Sequence, residues 1–481
     1  MNCRTVIFGT WLFAFALSLG ALASHAQEEP QPVPDAPQEP MPEAPPKPAG
    51  YSFPSLGIGQ AEVELQPDFT PLTGMQNSTL GLPEIRHSYW VPGLQFSSNA
   101  LSNSYGQSSG SNWYANNYFI GNLSLLEAWN RGTLAVNYSG GGFISTNSQL
   151  GNGLYQQLAL AQNFQTARWL IQIVDQFSYI PQSSFGYGGG TNLGIPGVGG
   201  SLGTTIPGLG GNYVPNQSVY GVGASYNNTA ALQANYALSR RSSITLAGSY
   251  GILSFVEAGN YDSYTAVGSI GYNYALSLSD TVGLVYRFSS YQFPGKPQAY
   301  GSNVMSVAYG RKVTGHLALR LFIGPEITTY RIPVGTASRT TGFSTTANLT
   351  YGFRRGAFTL GYIHGLSSGS GVLVGSILDQ ATASASRSLT RVWTGNLNFG
   401  YSRNNPVGGT ATSSYPAYDD WFLGGGVSRP IGRNFNFAVA YTATIGNYSG
   451  TGCTGMGCNP SKTYSNVTVN FQWHPRPFVL P

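Results

Sequence analysis

Charge is scarce in this chain of 481 residues: Asp, Glu, Lys and Arg together make up 9% of it. A typical soluble domain carries about 25%. An ordinary soluble enzyme is therefore excluded, because its surface needs charge of both signs to stay dissolved. Long apolar runs are also missing. Past residue 30 none reaches 18 residues, which excludes a helical membrane protein. Catalytic signatures are wanting too: there is no P-loop, no HExxH and no convincing metal cluster, and nothing calls for a cofactor. What is abundant is glycine, with 64 residues, and tyrosine, with 31. Aromatics reach 13%, too many for a disordered chain. What fits is a protein with one apolar and one polar side.

The chain opens with Arg4, then the apolar run Thr5 to Ala23, then Ser24-His25-Ala26, which fits the small-x-small cleavage rule. Residues 1–26 read as a signal peptide, with Ala21-Leu22-Ala23 as a second cleavage site and a retained anchor as the alternative. Cys3 lies inside that leader. Residues 27–49 form an acidic, proline-rich tether, disordered because proline fixes φ and removes a donor. At about 3 Å per residue it would reach roughly 60 Å, towards periplasm or cell wall. Residues 50–87, with turn signals at Pro67, Pro71, Gly74 and Pro83, read as an irregular periplasmic lead-in able to tuck into a barrel mouth.

From residue 88 to 481 the sequence alternates apolar and small polar residues in segments of about ten. In Asn434 to Ile445, Phe435, Phe437, Val439, Tyr441 and Ile445 share one face, and Asn434, Asn436, Thr442 and Thr444 share the other. Leu134, Val136 and Tyr138 likewise oppose Thr133, Ala135 and Asn137. Period two marks strands between two different environments. The apolar rows end repeatedly in Tyr, Trp or Phe, as at the borders of a hydrocarbon layer. An open sheet in lipid would leave edge N–H and C=O groups unpaired, so the sheet must close. The expected fold is all-β: a transmembrane, antiparallel, up-and-down barrel. Its strands are expected near 89–99, 118–129, 133–143, 153–164, 168–180, 228–239, 243–253, 263–277, 280–291, 302–312, 316–328, 342–353, 356–364, 377–388, 391–402, 419–429, 433–445 and 463–474. The count is 18, with 16 as the alternative. The first is the weakest, since Pro92 and Gly93 interrupt it. Short turns alternate with long loops, which puts both chain ends on the short-turn, periplasmic side.

Signal peptide, alternating strands, aromatic borders and a last strand from Tyr464 to Trp473 resemble Gram-negative outer-membrane barrels of the porin type. The glycine-rich, Arg-over-Lys style resembles barrels of acidobacterial type, a likeness that implies no substrate. The porin likeness implies location in the outer membrane among its lipids and lipopolysaccharide, and insertion by the barrel-assembly machinery. One departure is the tail His474 to Pro481, beyond the aromatic terminus that such barrels usually present.

From residue 88 on there are 20 Lys or Arg against 9 Asp or Glu. Twelve of the cations flank short turns: Arg131, Arg168, Arg240, Arg241, Arg311, Lys312, Arg354, Arg355, Arg387, Arg391, Arg429 and Arg433. They are candidates for a periplasmic rim that binds lipid phosphates, because the Arg fork suits phosphate. The plainer alternative is turn solubility. Parity places Arg287, Arg320, His316 and Glu326 in the lumen, as an anion-favouring constriction or as an Arg–Glu brace of the wall. Asp175 falls on a lipid-facing row, where a bulge or an interfacial position would explain it. Cys453 and Cys458 favour a local disulfide in an exported loop. Loop 182–217 is long, glycine-rich and uncharged; it either enters the lumen or stays at the surface. Gly365-Leu366-Ser367-Ser368-Gly369 matches the esterase G-x-S-x-G, but lacks the strand–turn–helix setting.

The expected function is a porin-like channel, not an enzyme, for passive diffusion of small polar solutes, neutral or anionic. The alternative is a structural or surface-interaction protein whose barrel is only an anchor. No nucleic-acid partner is expected, and a homo-oligomer is open.

Overall fold

The computed structural model describes residue 73 and residues 88–102, 113–146, 152–180, 224–256, 261–296, 298–314, 316–331, 338–367, 374–407, 417–449 and 461–480. All fall in the unit Phe53–Pro481. The expected signal peptide, tether, loop 182–217, Ser368 and the Cys453–Cys458 pair lie outside the described residues, as does the lead-in apart from Thr73.

Eighteen long strands run in chain order, each antiparallel to its neighbours: β1 (Tyr89–Ser102), β2 (Trp113–Trp129), β3 (Gly132–Ser145), β4 (Gly153–Gln165), β5 (Trp169–Ile180), β6 (Ser225–Ala237), β7 (Ser242–Phe255), β8 (Ser263–Ala275), β9 (Asp280–Gln292), β10 (Ala299–Thr314), β11 (Leu317–Arg331), β12 (Ser338–Phe353), β13 (Gly356–Ser367), β14 (Ser376–Ser388), β15 (Thr394–Pro406), β16 (Ala417–Ile431), β17 (Phe435–Ser449) and β18 (Ser461–Trp473). The first pairs with the last as well as with β2 (Trp113–Trp129), so the sheet closes. Every expected strand is present. Chain order equals spatial order because turns of two to five residues join each even strand to the next odd one. The barrel chain begins and ends at that same short-turn rim: Tyr89 pairs with Leu126, and Trp473 with Phe435.

The alternation decides which face meets which medium. Leu94, Phe119, Leu154, Leu232 and Leu397 are half or more exposed and point outward. Their neighbours along the chain, Gln95, Tyr118, Tyr155, Gln233 and Asn398, point inward. A continuous apolar outside of this extent would drive a soluble protein to aggregate; in a bilayer it is the correct solvent. Aromatic pairs border it at both ends. Trp169–Tyr236 and Phe437–Phe471 stack near the short turns, at 4.7 and 4.9 Å between ring centres. Tyr179–Tyr226 and Tyr401–Trp421 do so near the long loops, at 4.7 and 4.5 Å. This is a transmembrane barrel of the outer-membrane type.

The weak first strand is a full member of the wall. Pro92 lacks the N–H that a central strand would need. Yet it falls where the seam to the last strand has no rung: β18 ends at Leu94↔Trp473, and pairing resumes at Trp90↔Phe478. The resumption is β19 (Phe478–Val479), part of the tail that departs from the usual terminus. Trp90 and Phe478 stack at 4.7 Å, so the tail supplies the last aromatic of the seam.

At Gly324 two neighbouring strands come unusually close. A Cβ on Gly324 of β11 (Leu317–Arg331) would overlap the Met305 carbonyl and the Cα of Ser306 on β10 (Ala299–Thr314). Only glycine allows the two strands to approach so closely. Gly324→Val should abolish most folding, seen as loss of the fast-migrating folded band on unheated SDS gels. Gly342→Ala, where a Cβ meets nothing within 4 Å, should leave that band intact.

Candidate functional site

The inner wall is mostly Ser, Thr, Asn and Gln, including Ser97, Asn99, Thr245, Thr265, Ser402 and Thr468. Two apolar patches interrupt it. Leu126, Ala135, Ala161, Val174 and Ala231 cluster on β2–β6, and Tyr118, Ile120, Phe143 and Tyr155 cluster nearer the loops. Thr73 of the lead-in also lies inside. Its N–H donates to Asn273 Oδ1 at 2.8 Å, against the glycine-lined inner face of β8 and β9.

Two of the sequence-predicted levels bring charge into the lumen. On β9 (Asp280–Gln292) Arg287 turns inward, opposite the exposed Tyr286 and Phe288. Register puts it level with Glu326: Arg287 pairs with Val304, and Val304 with Glu326. They are not ion-paired. Arg287 Nη2 donates to Ser344 Oγ at 3.2 Å, three strands away on β12 (Ser338–Phe353). The buried Nε of Arg287 has no partner. Glu326 is engaged otherwise: it accepts from Ser302 Oγ and, at 3.4 Å, from the backbone N–H of Leu366. The Arg–Glu brace is thus replaced, at this level, by two separate sets of bonds. Arg320, lower on the wall, faces inward opposite Asn348 and Gly310. His316 stands apart from the other three. It lies exposed in the β10–β11 turn, where its carbonyl accepts from Gly352.

Above Arg287 the loop-side mouth is narrowed by apolar side chains. Tyr291, Phe293, Tyr300, Leu366 and Val374 form one buried cluster, with Tyr261, Tyr330 and Val407 against it. These come from elements as far apart as β8 and β15, so the upper ends of β13–β15 lean across the mouth. Tyr291 Oη donates to the Leu366 carbonyl at 3.3 Å and holds that lean from β9, four strands away.

All twelve turn cations are exposed and gather at the short-turn rim. Arg429 lies over the Trp393 ring at 5.6 Å, and Arg311 sits 3.6 Å from Asp280. Asp175 does face outward, but neither expected explanation holds. The β4–β5–β6 ladder keeps an unbroken register, so there is no bulge. The residue lies between the girdle aromatics Trp169 and Tyr179 rather than at either border. Asn228 satisfies it instead, donating to its carboxylate at 3.0 Å.

Two features escaped the sequence reading. Asp420 is a buried inward acid near the loops, masked in sequence by the outward Asp419 beside it. His364 points outward and pairs with Asp379 at 2.6 Å, with Tyr362 Oη donating to the same carboxylate. Arg403 and Asp419, 3.7 Å apart, continue this row. Aligning the strands on their loop-side aromatics, Tyr362, Tyr401 and Trp421, would have revealed it, since each charge lies two residues beyond one. The same placement separates the esterase-like residues: Ser367 is on the inner face of β13 and His364 on the outer.

No family model matches the chain, and no curated protein matches it. Among solved structures it is similar to Pseudomonas aeruginosa OpdQ, at 10% identity and TM-score 0.42, over 82% of this chain and 100% of that one. It is similar to P. aeruginosa OccK2 (OpdF) in complex with glucuronate, at 9% identity and TM-score 0.42, over 82% and 98%. A BenF-like porin from Pseudomonas fluorescens Pf-5 gives 10% identity and TM-score 0.42, over 81% and 99%.

Proposed function

We propose that the protein is an outer-membrane, porin-like channel for passive diffusion of small polar solutes, with anionic ones favoured over cationic. One observation carries this reading: a closed barrel of 18 strands whose inner wall presents Arg287 with an uncommitted guanidinium nitrogen, while the acid at its level is engaged by the wall. Barrels of this strand number enclose an aqueous channel rather than a packed core. Charges lining such a channel set its selectivity. Neutral hydroxyl and amide groups elsewhere on the wall replace water for uncharged solutes. Single-channel recording in planar bilayers tests the proposal: stable conductance with chloride preferred over potassium is expected, and a closed barrel would favour the anchor reading.

The rim cations support a second role, in seating the barrel. Their forks face the level of inner-leaflet phosphates, whose negative field attracts them. Reversing Arg240, Arg241, Arg354 and Arg355 to glutamate together should cut membrane-inserted protein severalfold, measured as heat-modifiable barrel in outer-membrane fractions. Unchanged insertion would reduce the rim to a solubility device.

A further inference from the structure

Between β12 and β13 the strand ladder stops short, and what surrounds that point is chemically specific. Strands β12 and β13 (Gly356–Ser367) pair from Phe353↔Gly356 up to Thr345↔His364 and stop there. Neither strand ends at that point. On one side β12 continues beside β11 to Ser338↔Tyr330. On the other, β13 continues beside β14 (Ser376–Ser388) to Ser367↔Ser376. Above His364, among the described residues, the three rungs that would follow, Ser344–Gly365, Phe343–Leu366 and Gly342–Ser367, are missing. The cause is visible on the inner wall: Glu326 takes the Leu366 N–H and Tyr291 takes the Leu366 carbonyl. Those are backbone groups that a continuing ladder would use, so two side chains hold β13 away from β12.

An unpaired strand edge facing lipid is costly unless the edge borders a water-filled or solute-filled passage. The chemistry on the two faces of the split differs. Outside, the Phe343 ring stacks on His364 at 4.4 Å, at the loop-side border of the apolar belt. Inside stands Ser344 with the Arg287 guanidinium, whose buried Nε has no partner. Next to it is the apolar cluster of Leu366, Tyr291 and Phe293. A cation and an apolar surface side by side suit a molecule with an acidic head and an apolar tail.

We propose that the split between β12 and β13 is a lateral portal, through which amphipathic carboxylates pass between the barrel lumen and the outer leaflet, head on Arg287 and tail along Phe343 and Leu366. It is a second route beside axial diffusion and does not require the axial route to conduct.

Cysteine chemistry tests it, with all three native cysteines changed to serine. In the pair Thr346→Cys/Ile363→Cys, still inside the ladder, a disulfide should form on mild oxidation. In Ser344→Cys/Gly365→Cys, one position above the last rung, it should not, because diverging strands exceed the span a disulfide tolerates. In proteoliposomes, single S344C should react with a maleimide-bearing phospholipid several times faster than single T346C. Dodecanoate should slow that reaction, dodecanol should not, and Arg287→Gln should remove the protection. Cross-linking of S344C/G365C at the control rate, or equal labelling of S344C and T346C, would overturn the portal. Equal protection by dodecanol would overturn the acidic-head assignment.

Discussion

Replacing Arg287 with glutamate should lower the chloride-over-potassium permeability ratio about thirtyfold. The size follows from Coulomb's law. An ion passing about 5 Å from the side chain in water interacts by roughly 0.8 kcal/mol with a unit charge, and screening at about 0.1 M salt leaves near 0.5. Reversing the charge doubles this to about 1 kcal/mol, roughly a factor of five against chloride and the same factor in favour of potassium, so the ratio falls by roughly thirtyfold. Arg287→Gln should give about half the effect on a logarithmic scale. Glu326→Gln should behave differently from a selectivity change. Its carboxylate accepts from Ser302 and Leu366 and is nearly fully buried, so its loss is felt by the wall before the ion. The reversal potential in a salt gradient separates the cases. An unchanged ratio in Arg287→Glu would remove this residue from the ion path.

Much of the architecture was legible because a barrel wall is a repeating physical problem. Each strand must offer Leu, Ile or Phe to lipid and Ser, Thr or Asn to water, and period two records that choice residue by residue. Phe435 to Ile445 and Leu134 to Tyr138 declare their faces without reference to any other strand. Even the interrupted first strand could be counted, although the reason Pro92 is tolerated lay 380 residues away, in the gap between Trp473 and Phe478. Inward orientation of Arg287, Arg320 and Glu326 followed from parity in the same way.

What parity cannot give is who meets whom across the lumen. Arg287 reaches Ser344 three strands away, and nothing in the alternation of β9 or β12 marks that meeting. Leu366 has the parity of an outward residue, yet it is buried with Tyr291, because its strand has left the cylinder. His316 has lumen parity but sits one residue before its strand begins. Register between neighbours was legible; departures from the ideal cylinder were not, and the candidate site consists of such departures.

The mouth cluster is therefore where the largest change in conductance is expected. Tyr300 stands at its centre: its ring is 6.0 Å from Phe293 and 6.4 Å from Tyr330, and it packs against Gly375 at the foot of β14. An apolar constriction resists ions by excluding water, so removing its bulk should both widen and wet the path. Phe293→Ala with Tyr300→Ala should raise single-channel conductance at least about twofold, since hydrophobic constrictions gate by dewetting. Two controls keep the result interpretable. Tyr226 and Tyr179 are stacked on the outer face near the same rim, so alanine at both removes equal bulk without touching the lumen. Tyr291→Phe leaves the bulk of the cluster but deletes the bond to the Leu366 carbonyl. If bulk alone limits flow, the outer pair and Tyr291→Phe conduct like the parent. If the lean of β13 limits it, Tyr291→Phe alone raises conductance, since the released strand can return to the wall. A double alanine variant that conducts no better than the parent would place the limiting constriction lower in the barrel, at the level of Arg320 or of Thr73 on its inner wall.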